Sequence, residues 1–116
     1  MWIAERHGLS DSILFSNKSV VTFYYEGTAI GGDDFEYKGE KMKVLYVIDF
    51  SKTPNWIDFN IRSLKSNKLI EHTKGIIQFL SDDSMMLRTP FDKNAERPSM
   101  FDYDNKIGET MIYKRK

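Results

Sequence analysis

The sequence predicts an all-β fold, a small antiparallel meander closed into a barrel of about eight strands. Several short segments alternate apolar and polar residues with a period of two, most regularly at Ile57, Phe59 and Ile61. Turn-forming residues separate these segments, and no segment repeats apolar residues at a helical period over three turns. Because a meander of apolar strands would expose its edges, closure into a barrel is favoured.

The length and the amino-acid usage predict one domain that spans residues 1–116. A chain of 116 residues can bury a core without covalent cross-links. It contains no cysteine, which excludes disulfides, cysteine-type zinc sites and a thiol nucleophile. The core must therefore come from the packing of apolar side chains.

The charge balance argues against two classes of partner. Lysine plus arginine and aspartate plus glutamate both number 17, so the net charge is zero. Proteins that bind nucleic acids or anionic membranes usually carry a basic excess, so neither partner is expected. The sequence also contains no apolar run long enough for a signal peptide or a bilayer span, which predicts a cytoplasmic location.

Glycines and polar turns divide the first half of the chain into short extended segments. Strands are predicted over residues 2–6, 12–15, 19–25, 35–37 and 42–49. The glycine-rich segment 31–34 is predicted to be a loop, and a single helical turn is allowed near residues 8–12.

The stretch from residue 49 to residue 59 is predicted to be the central turn of the fold. Pro54 fixes its own φ and favours an extended Thr53, so a stiff turn should join the strand 42–49 to the alternating run that follows. Asp49 and Asp58 flank this turn. If both faced a cavity, they could form an acid–base pair. The favoured interpretation is that one of them caps backbone N–H groups of the turn and the other faces solvent.

The second half of the chain continues the pattern of strands and turns. Further strands are predicted over residues 69–80, 85–89, 99–103 and 109–115. Gly75 is predicted to form a bulge or bend within the first of them. Pro90 should end the second, and residues 92–97 should form a charged loop.

Four motifs occur in order through the last two thirds of the chain. They are D-x-S-K-T-P-x-x-I-D at residues 49–58, Gly75-Ile76, Arg97-Pro98, and a terminal strand that closes on Lys114-Arg115. This order resembles a bacterial family of small, largely uncharacterised lipocalin-like domains. The resemblance implies a lipocalin-like, calycin-type barrel and implies no chemistry. The first third departs from the family, whose members have a longer lead into a Gly-x-Trp strand.

The resemblance also implies a contact between the first and last strands. In lipocalin-like barrels a tryptophan of the first strand packs under an arginine of the last, which here would be Trp2 and Arg115. A guanidinium stacks well on an indole ring, so the contact is physically reasonable and its role would be structural. Arg97 could bind an anion, although a tie from its loop to a strand-end carboxylate is favoured.

No catalytic or metal-binding motif is present in the sequence. His7 and His72 are the only histidines and do not have the spacing of metal ligands, so neither a metal nor a cofactor is expected. The paired aspartates at 33–34 and 82–83 fall in predicted turns, where aspartate bonds local backbone. No nucleophile elbow and no phosphate-binding glycine loop is found, and an enzyme is the least favoured class.

A set of aromatic and methionine side chains on the predicted strands could line a ligand cavity or fill the core. The candidate ligand-binding residues are Tyr24, Tyr46, Phe59, Ile61, Phe79, Met85 and Tyr113. Small barrels allow both arrangements. The expected function is therefore that of a non-enzymatic domain that binds a small apolar ligand. The alternative is a protein-interaction domain, such as a cognate inhibitor or immunity-type partner of another protein.

Overall fold

The computed structural model describes residues 2–6, 9–16, 19–25, 28–90, 95–101 and 108–115. These residues form ten strands: β1 Trp2–Arg6, β2 Leu9–Phe15, β3 Val21–Tyr25, β4 Thr28–Gly31, β5 Phe35–Tyr37, β6 Glu40–Asp49, β7 Asn55–Ser63, β8 Leu69–Ser81, β9 Ser84–Pro90 and β10 Gly108–Arg115.

All ten strands belong to one antiparallel sheet, which confirms the predicted all-β class. Their order in the sheet is β4-β3-β2-β1-β10-β9-β8-β7-β6-β5. The first strand lies between the second and the last, so both ends of the described chain are in the middle of the sheet. The number of strands is ten instead of about eight.

The sheet curves until its two halves nearly close it into a barrel. Val20, next to β3, forms an isolated antiparallel bridge with Leu45 of β6. The backbone N–H of Tyr46 donates a hydrogen bond of 2.8 Å to the carbonyl oxygen of Ser19. These contacts bring β3 and β6 together, while β4 and β5 remain the two edge strands of the sheet.

The core lies inside this curved sheet and follows the period-two pattern of the strands. On β7, Ile57 and Phe59 are buried, and Val44 of β6 and Ile77 of β8 are buried with them. Burying one such side chain contributes about 1.5–3 kcal/mol to folding. The alternation that is clearest in the sequence therefore faces the interior, as expected.

The turn around Pro54 joins two adjacent antiparallel strands, as predicted. Asp49 at the end of β6 pairs with Trp56 on β7. The Asp49 carboxylate accepts hydrogen bonds from the backbone N–H of Ser51, at 2.9 Å, and from its hydroxyl, at 2.5 Å. The prediction that a flanking aspartate caps the turn is confirmed for Asp49.

Gly75 does not form the predicted bulge. It pairs in regular register with Ile57. The pairing of β8 shifts in register at two other places, opposite Ile61 and Arg62 of β7 and between Phe79 and Ser81, next to the turn into β9. A Cβ atom at position 75 would lie 2.8 Å from the carbonyl oxygen of Arg88. Glycine is therefore needed here because β8 and β9 approach each other closely.

Three other segments differ from the prediction, and in two of them pairing with a neighbouring strand decides the conformation. Residues 28–31 pair with β3 and form β4. No element was predicted at residues 28–30, and residue 31 was predicted to begin a loop. Residues 9–12 are extended along β1 as part of β2, so the helical turn is wrong there, and residue 8 lies outside the described residues. Residues 99–101 are not in a strand; the remainder of the predicted strand 99–103 lies outside the described residues.

The predicted contact between the first and last strands is confirmed. Trp2 pairs directly with Arg115 across β1 and β10. The guanidinium carbon of Arg115 lies 4.7 Å from the centre of the Trp2 ring, and the indole is buried. Phe79 packs on the same indole, with ring centres 6.0 Å apart. Trp2, Phe79 and Arg115 thus pack together at one end of the barrel.

Candidate functional site

A cavity of about 280 Å³ lies inside the barrel and is partly open to solvent. Its aromatic lining consists of Phe23, Tyr25, Phe35, Tyr37, Phe59 and Tyr113. Its aliphatic lining consists of Ile30, Val44, Ile61, Leu87 and Pro90, and Thr73 and Thr89 add two hydroxyls. The lining is predominantly apolar.

Alternation along the strands explains why these side chains meet. Phe59 and Ile61 are two residues apart on β7 and face the interior with Val44 of β6, the cross-strand partner of Ile61. From β3, the Phe23 ring contacts the Phe59 ring edge-on, with centres 5.2 Å apart. Since β3 lies beside β6 at the closure, this contact joins side chains of the two halves of the sheet and contributes to the cavity lining.

Three of the seven side chains predicted to bind a ligand line the cavity, namely Phe59, Ile61 and Tyr113. Phe59 and Tyr113 are also part of the buried core cluster. They come from β7 and β10, so the cavity brings together strands that are distant in sequence.

The other four predicted side chains do not line the cavity. Tyr24 lies between two lining residues of β3, so the alternation of the strand directs it to the outer face. Tyr46 packs edge-on against Phe15 and donates a 3.2 Å hydrogen bond to a backbone carbonyl at position 16. Met85 is fully buried in the core cluster. Phe79 lies at the far end of β8, half exposed beside Trp2.

A polar cluster that the sequence did not single out lies at the rim of the cavity. Here the term rim cluster means Tyr37, Lys38 and Glu71. The Tyr37 hydroxyl donates a 2.6 Å hydrogen bond to the Glu71 carboxylate, and the Lys38 ammonium lies 3.4 Å from the same oxygen. The Lys38 ammonium also lies 5.1 Å from the centre of the Tyr37 ring. A carboxylate and an aromatic face thus surround one ammonium group.

Glu71 reaches the rim because of its position on β8. It pairs with Ile61 on β7 and is two residues from Thr73, and both of these side chains line the cavity. Residues two apart on a strand share a face, so Glu71 belongs to the inner face of the sheet. The period-two pattern of β8 shows that Glu71 shares a face with Thr73, but the sequence does not show that this face is the inner one.

A second polar cluster lies on the outer face of the sheet, around Asp58. The Arg97 guanidinium donates a 2.6 Å hydrogen bond to Asp58, and further bonds of 3.2 and 2.8 Å to the carbonyl oxygens of Ile57 and Gly75. It also stacks on Trp56, at 4.3 Å from the ring centre. Arg97 therefore ties its loop to a strand carboxylate, as the favoured interpretation expects, but Asp58 lies within β7 instead of at a strand end.

Asp49 and Asp58 do not form an acid–base pair at the cavity. Asp58 bonds Arg97 on the outer face, instead of simply facing solvent. Asp49 caps the turn, and the hydrogen bonds from the hydroxyl and the N–H of Ser51 hold the pKa of its carboxyl below the ordinary value. Both carboxylates therefore have structural partners.

Neither polar cluster has the arrangement of a metal site. His72 Nε2 lies 3.5 Å from the Asp58 carboxylate, but the geometry is not that of a hydrogen bond, and this buried nitrogen bonds no described residue. His7 lies outside the described residues. In the described part of the chain, no group of three or more potential ligands is placed to hold a metal ion. That part also contains no helix with the length and apolar character needed to span a bilayer.

Comparisons with models of known protein families, with curated protein sequences and with solved structures find no match. The lipocalin-like resemblance of the four sequence motifs therefore stays a prediction.

Proposed function

We propose that this protein is a non-enzymatic domain that binds a small, mostly apolar molecule inside the barrel. The observation that carries the proposal is the partly open cavity of about 280 Å³ with its predominantly apolar lining. Ligand pockets in proteins are usually concave, apolar and furnished with a few polar groups, with volumes of roughly 300–1,000 Å³. The cavity volume lies just below this range, which favours a small ligand.

The lining favours binding over catalysis. The polar groups among the lining side chains are hydroxyls, on Thr73, Thr89 and three tyrosines. Hydroxyls orient a ligand through hydrogen bonds, but without a neighbouring base they are weak nucleophiles. Among the described lining side chains there is no histidine and no carboxylate, and the Glu71 carboxylate that accepts the hydrogen bond of Tyr37 lies at the rim.

We further propose that the barrel is of the lipocalin type. Support comes from the eight strands that run through the sheet from β3 by way of β1 and β10 to β6, because β3 and β6 meet at the Val20–Leu45 bridge. In this view β4 and β5 are short additions at the two sides of the closure. The contact of Trp2 with Arg115 is also what the family resemblance implies.

The binding proposal is tested with N-phenyl-1-naphthylamine, a neutral dye whose fluorescence rises in apolar surroundings. The wild-type protein should bind it, and Ile61→Trp should abolish or strongly weaken binding by filling the cavity. Ile112→Trp is the matched control, because Ile112 is exposed on β10 and does not line the cavity. Circular dichroism establishes that each variant keeps its β structure.

Two results would count against the binding proposal. One is the absence of dye binding to the folded wild-type protein. The other is equal binding by the Ile61→Trp and Ile112→Trp variants, which would locate the dye elsewhere on the surface.

A second candidate function is that of a protein-interaction domain, favoured by the aromatic surface at the end of the barrel where Trp2 lies. Phe50 is 65% exposed, and its ring stacks with that of Phe79 at 6.4 Å between centres. Exposed aromatic side chains of this kind are enriched at protein interfaces. An inhibitor or immunity-type domain would present such a surface to its partner.

The interaction candidate is tested by capturing partners from a lysate of the source cells. The wild-type protein should retain a protein that a Phe50→Ser variant does not retain. Phe50→Ser should leave dye binding in the cavity intact. If Phe50→Ser abolishes dye binding and Ile61→Trp does not, the dye binds the aromatic surface instead of the cavity.

A further inference from the structure

We propose that the ligand carries a cationic head group, an ammonium, which binds Glu71 at the rim while the apolar body of the ligand fills the cavity. This inference rests on the proposed ligand-binding function and names the chemical class of the ligand. Three observations support it: the position of Glu71, its hydrogen bond with Tyr37, and the Lys38 ammonium, which lies next to both.

The Glu71 carboxylate is held in a mostly buried position next to an apolar space. Its side chain is only 12% exposed, and its neighbours Ile61 and Thr73 line the cavity. A carboxylate that has lost most of its hydration is stabilised by hydrogen-bond donors and by positive charge. An anionic group brought to the same place would be repelled.

Tyr37 fixes the carboxylate and completes the site. It lies on β5, whereas Glu71 lies on β8, so their 2.6 Å hydrogen bond extends past the two strands between them. The Tyr37 ring also lines the cavity. A head group that reaches Glu71 from the cavity therefore passes the face of this ring, where cations are attracted to the π electrons.

Lys38 demonstrates that an ammonium is accepted at this place. Its Nζ atom is at once 3.4 Å from Glu71 and 5.1 Å from the centre of the Tyr37 ring. Its side chain is 62% exposed, and an ion pair with so exposed a partner contributes little to stability. A ligand ammonium that is anchored by its apolar body can therefore replace the Lys38 ammonium at little cost.

The proposal is tested by displacing N-phenyl-1-naphthylamine with three compounds of equal chain length, octylamine, 1-octanol and octanoate, at pH 7. Octylamine should displace the dye at a concentration about tenfold lower than 1-octanol, because its bond to Glu71 is charge-assisted. Octanoate should be the weakest of the three.

Variants of the rim cluster give two independent checks. Glu71→Gln should lower the preference for octylamine over 1-octanol to about twofold or less, because the charge is removed while the shape is kept. Lys38→Met should increase the preference, since it removes the competing ammonium. Glu36→Gln is the matched control and should leave the preference unchanged, because Glu36 is exposed on β5 and does not line the cavity.

The outcomes separate the two proposals. If all three compounds displace the dye equally, or if octanoate displaces it best, the proposal of a cationic head group is wrong. The apolar cavity then remains the binding site. Failure of the dye to bind the folded wild-type protein would overturn both. If Glu71→Gln does not fold, the ranking of compounds on the wild-type protein and the change caused by Lys38→Met decide the question.

Discussion

Arg97 offers the most direct measure of how the segment 95–101 is attached to the sheet. Its guanidinium makes three hydrogen bonds to β7 and β8, one to the Asp58 carboxylate and two to backbone carbonyls. The Arg97 side chain is 15% exposed and that of Asp58 is 28% exposed. The pair is thus largely shielded from solvent, and its charges are weakly screened.

The size of the effect follows from these contacts. A hydrogen bond to a charged group contributes about 1.5–3 kcal/mol, and a buried partner left without its bond costs a similar amount. We expect Arg97→Ala to lower the free energy of unfolding by about 2–4 kcal/mol, since stacking on Trp56 is lost as well. Asp58→Ala should cost about 1–3 kcal/mol.

A double-mutant cycle isolates the contribution of the pair. The two single variants and the double variant are unfolded in urea, and the free energies are taken from the midpoints at constant slope. The coupling between Arg97 and Asp58 should be about 1–2 kcal/mol. The control cycle uses Lys41 and Asp34, an exposed pair at 3.8 Å, for which a coupling near zero is expected.

A coupling between Arg97 and Asp58 no larger than that of the control pair would refute this reasoning. The short hydrogen bond would then contribute nothing beyond what solvent provides to each group separately. The loop would have to be held by its apolar contacts and backbone bonds instead.

Three further predictions concern the scaffold. Gly75→Ala should lower the free energy of unfolding by about 1–3 kcal/mol, because its Cβ atom would clash with a backbone oxygen 2.8 Å away; a neutral urea midpoint would contradict this. Arg115→Ala should cost about 0.5–1 kcal/mol through the lost contact with Trp2, whereas equal urea midpoints for variant and wild type would show that the contact contributes nothing. Asp49 stabilises the fold above its ordinary pKa, and this contribution is lost as the pH falls through the lowered pKa of the folded state. Ser51→Ala should raise that pKa, as followed by carboxyl NMR during titration, and an unchanged pKa would remove the Ser51 hydroxyl as its cause.

Local patterns in the sequence were sufficient to predict the wall formed by β6 and β7. A half-buried strand shows its inner face as a period of two, and Ile57, Phe59 and Ile61 obey it without interruption. The turn at Pro54 is equally local, because proline restricts both itself and the residue before it. Such features need no knowledge of the rest of the fold.

The remainder depends on contacts between distant strands. The side of β3 that faces inward is decided by closure against β6, which directs Phe23 and Tyr25 to the cavity and Tyr24 away from it. A shift of one position reverses every side chain of a strand, so Tyr24 could not be assigned from its own strand. Gly75 was interpreted as a bulge because the close approach of β9 is not visible in the sequence of β8.

The inner face of β8 indicates how a ligand would lie in the proposed binding site. Glu71 and Phe79 are eight residues apart on β8, about 26 Å at roughly 3.3 Å per residue. Between them Ile77 is fully buried, and Phe79 packs on Trp2 at the far end. Toward that end the inner face of β8 is therefore occupied, whereas Thr73, two residues from Glu71, lines the cavity. A ligand bound as proposed would place its polar group at the rim, where the carboxylate of Glu71 and the ring of Tyr37 meet it.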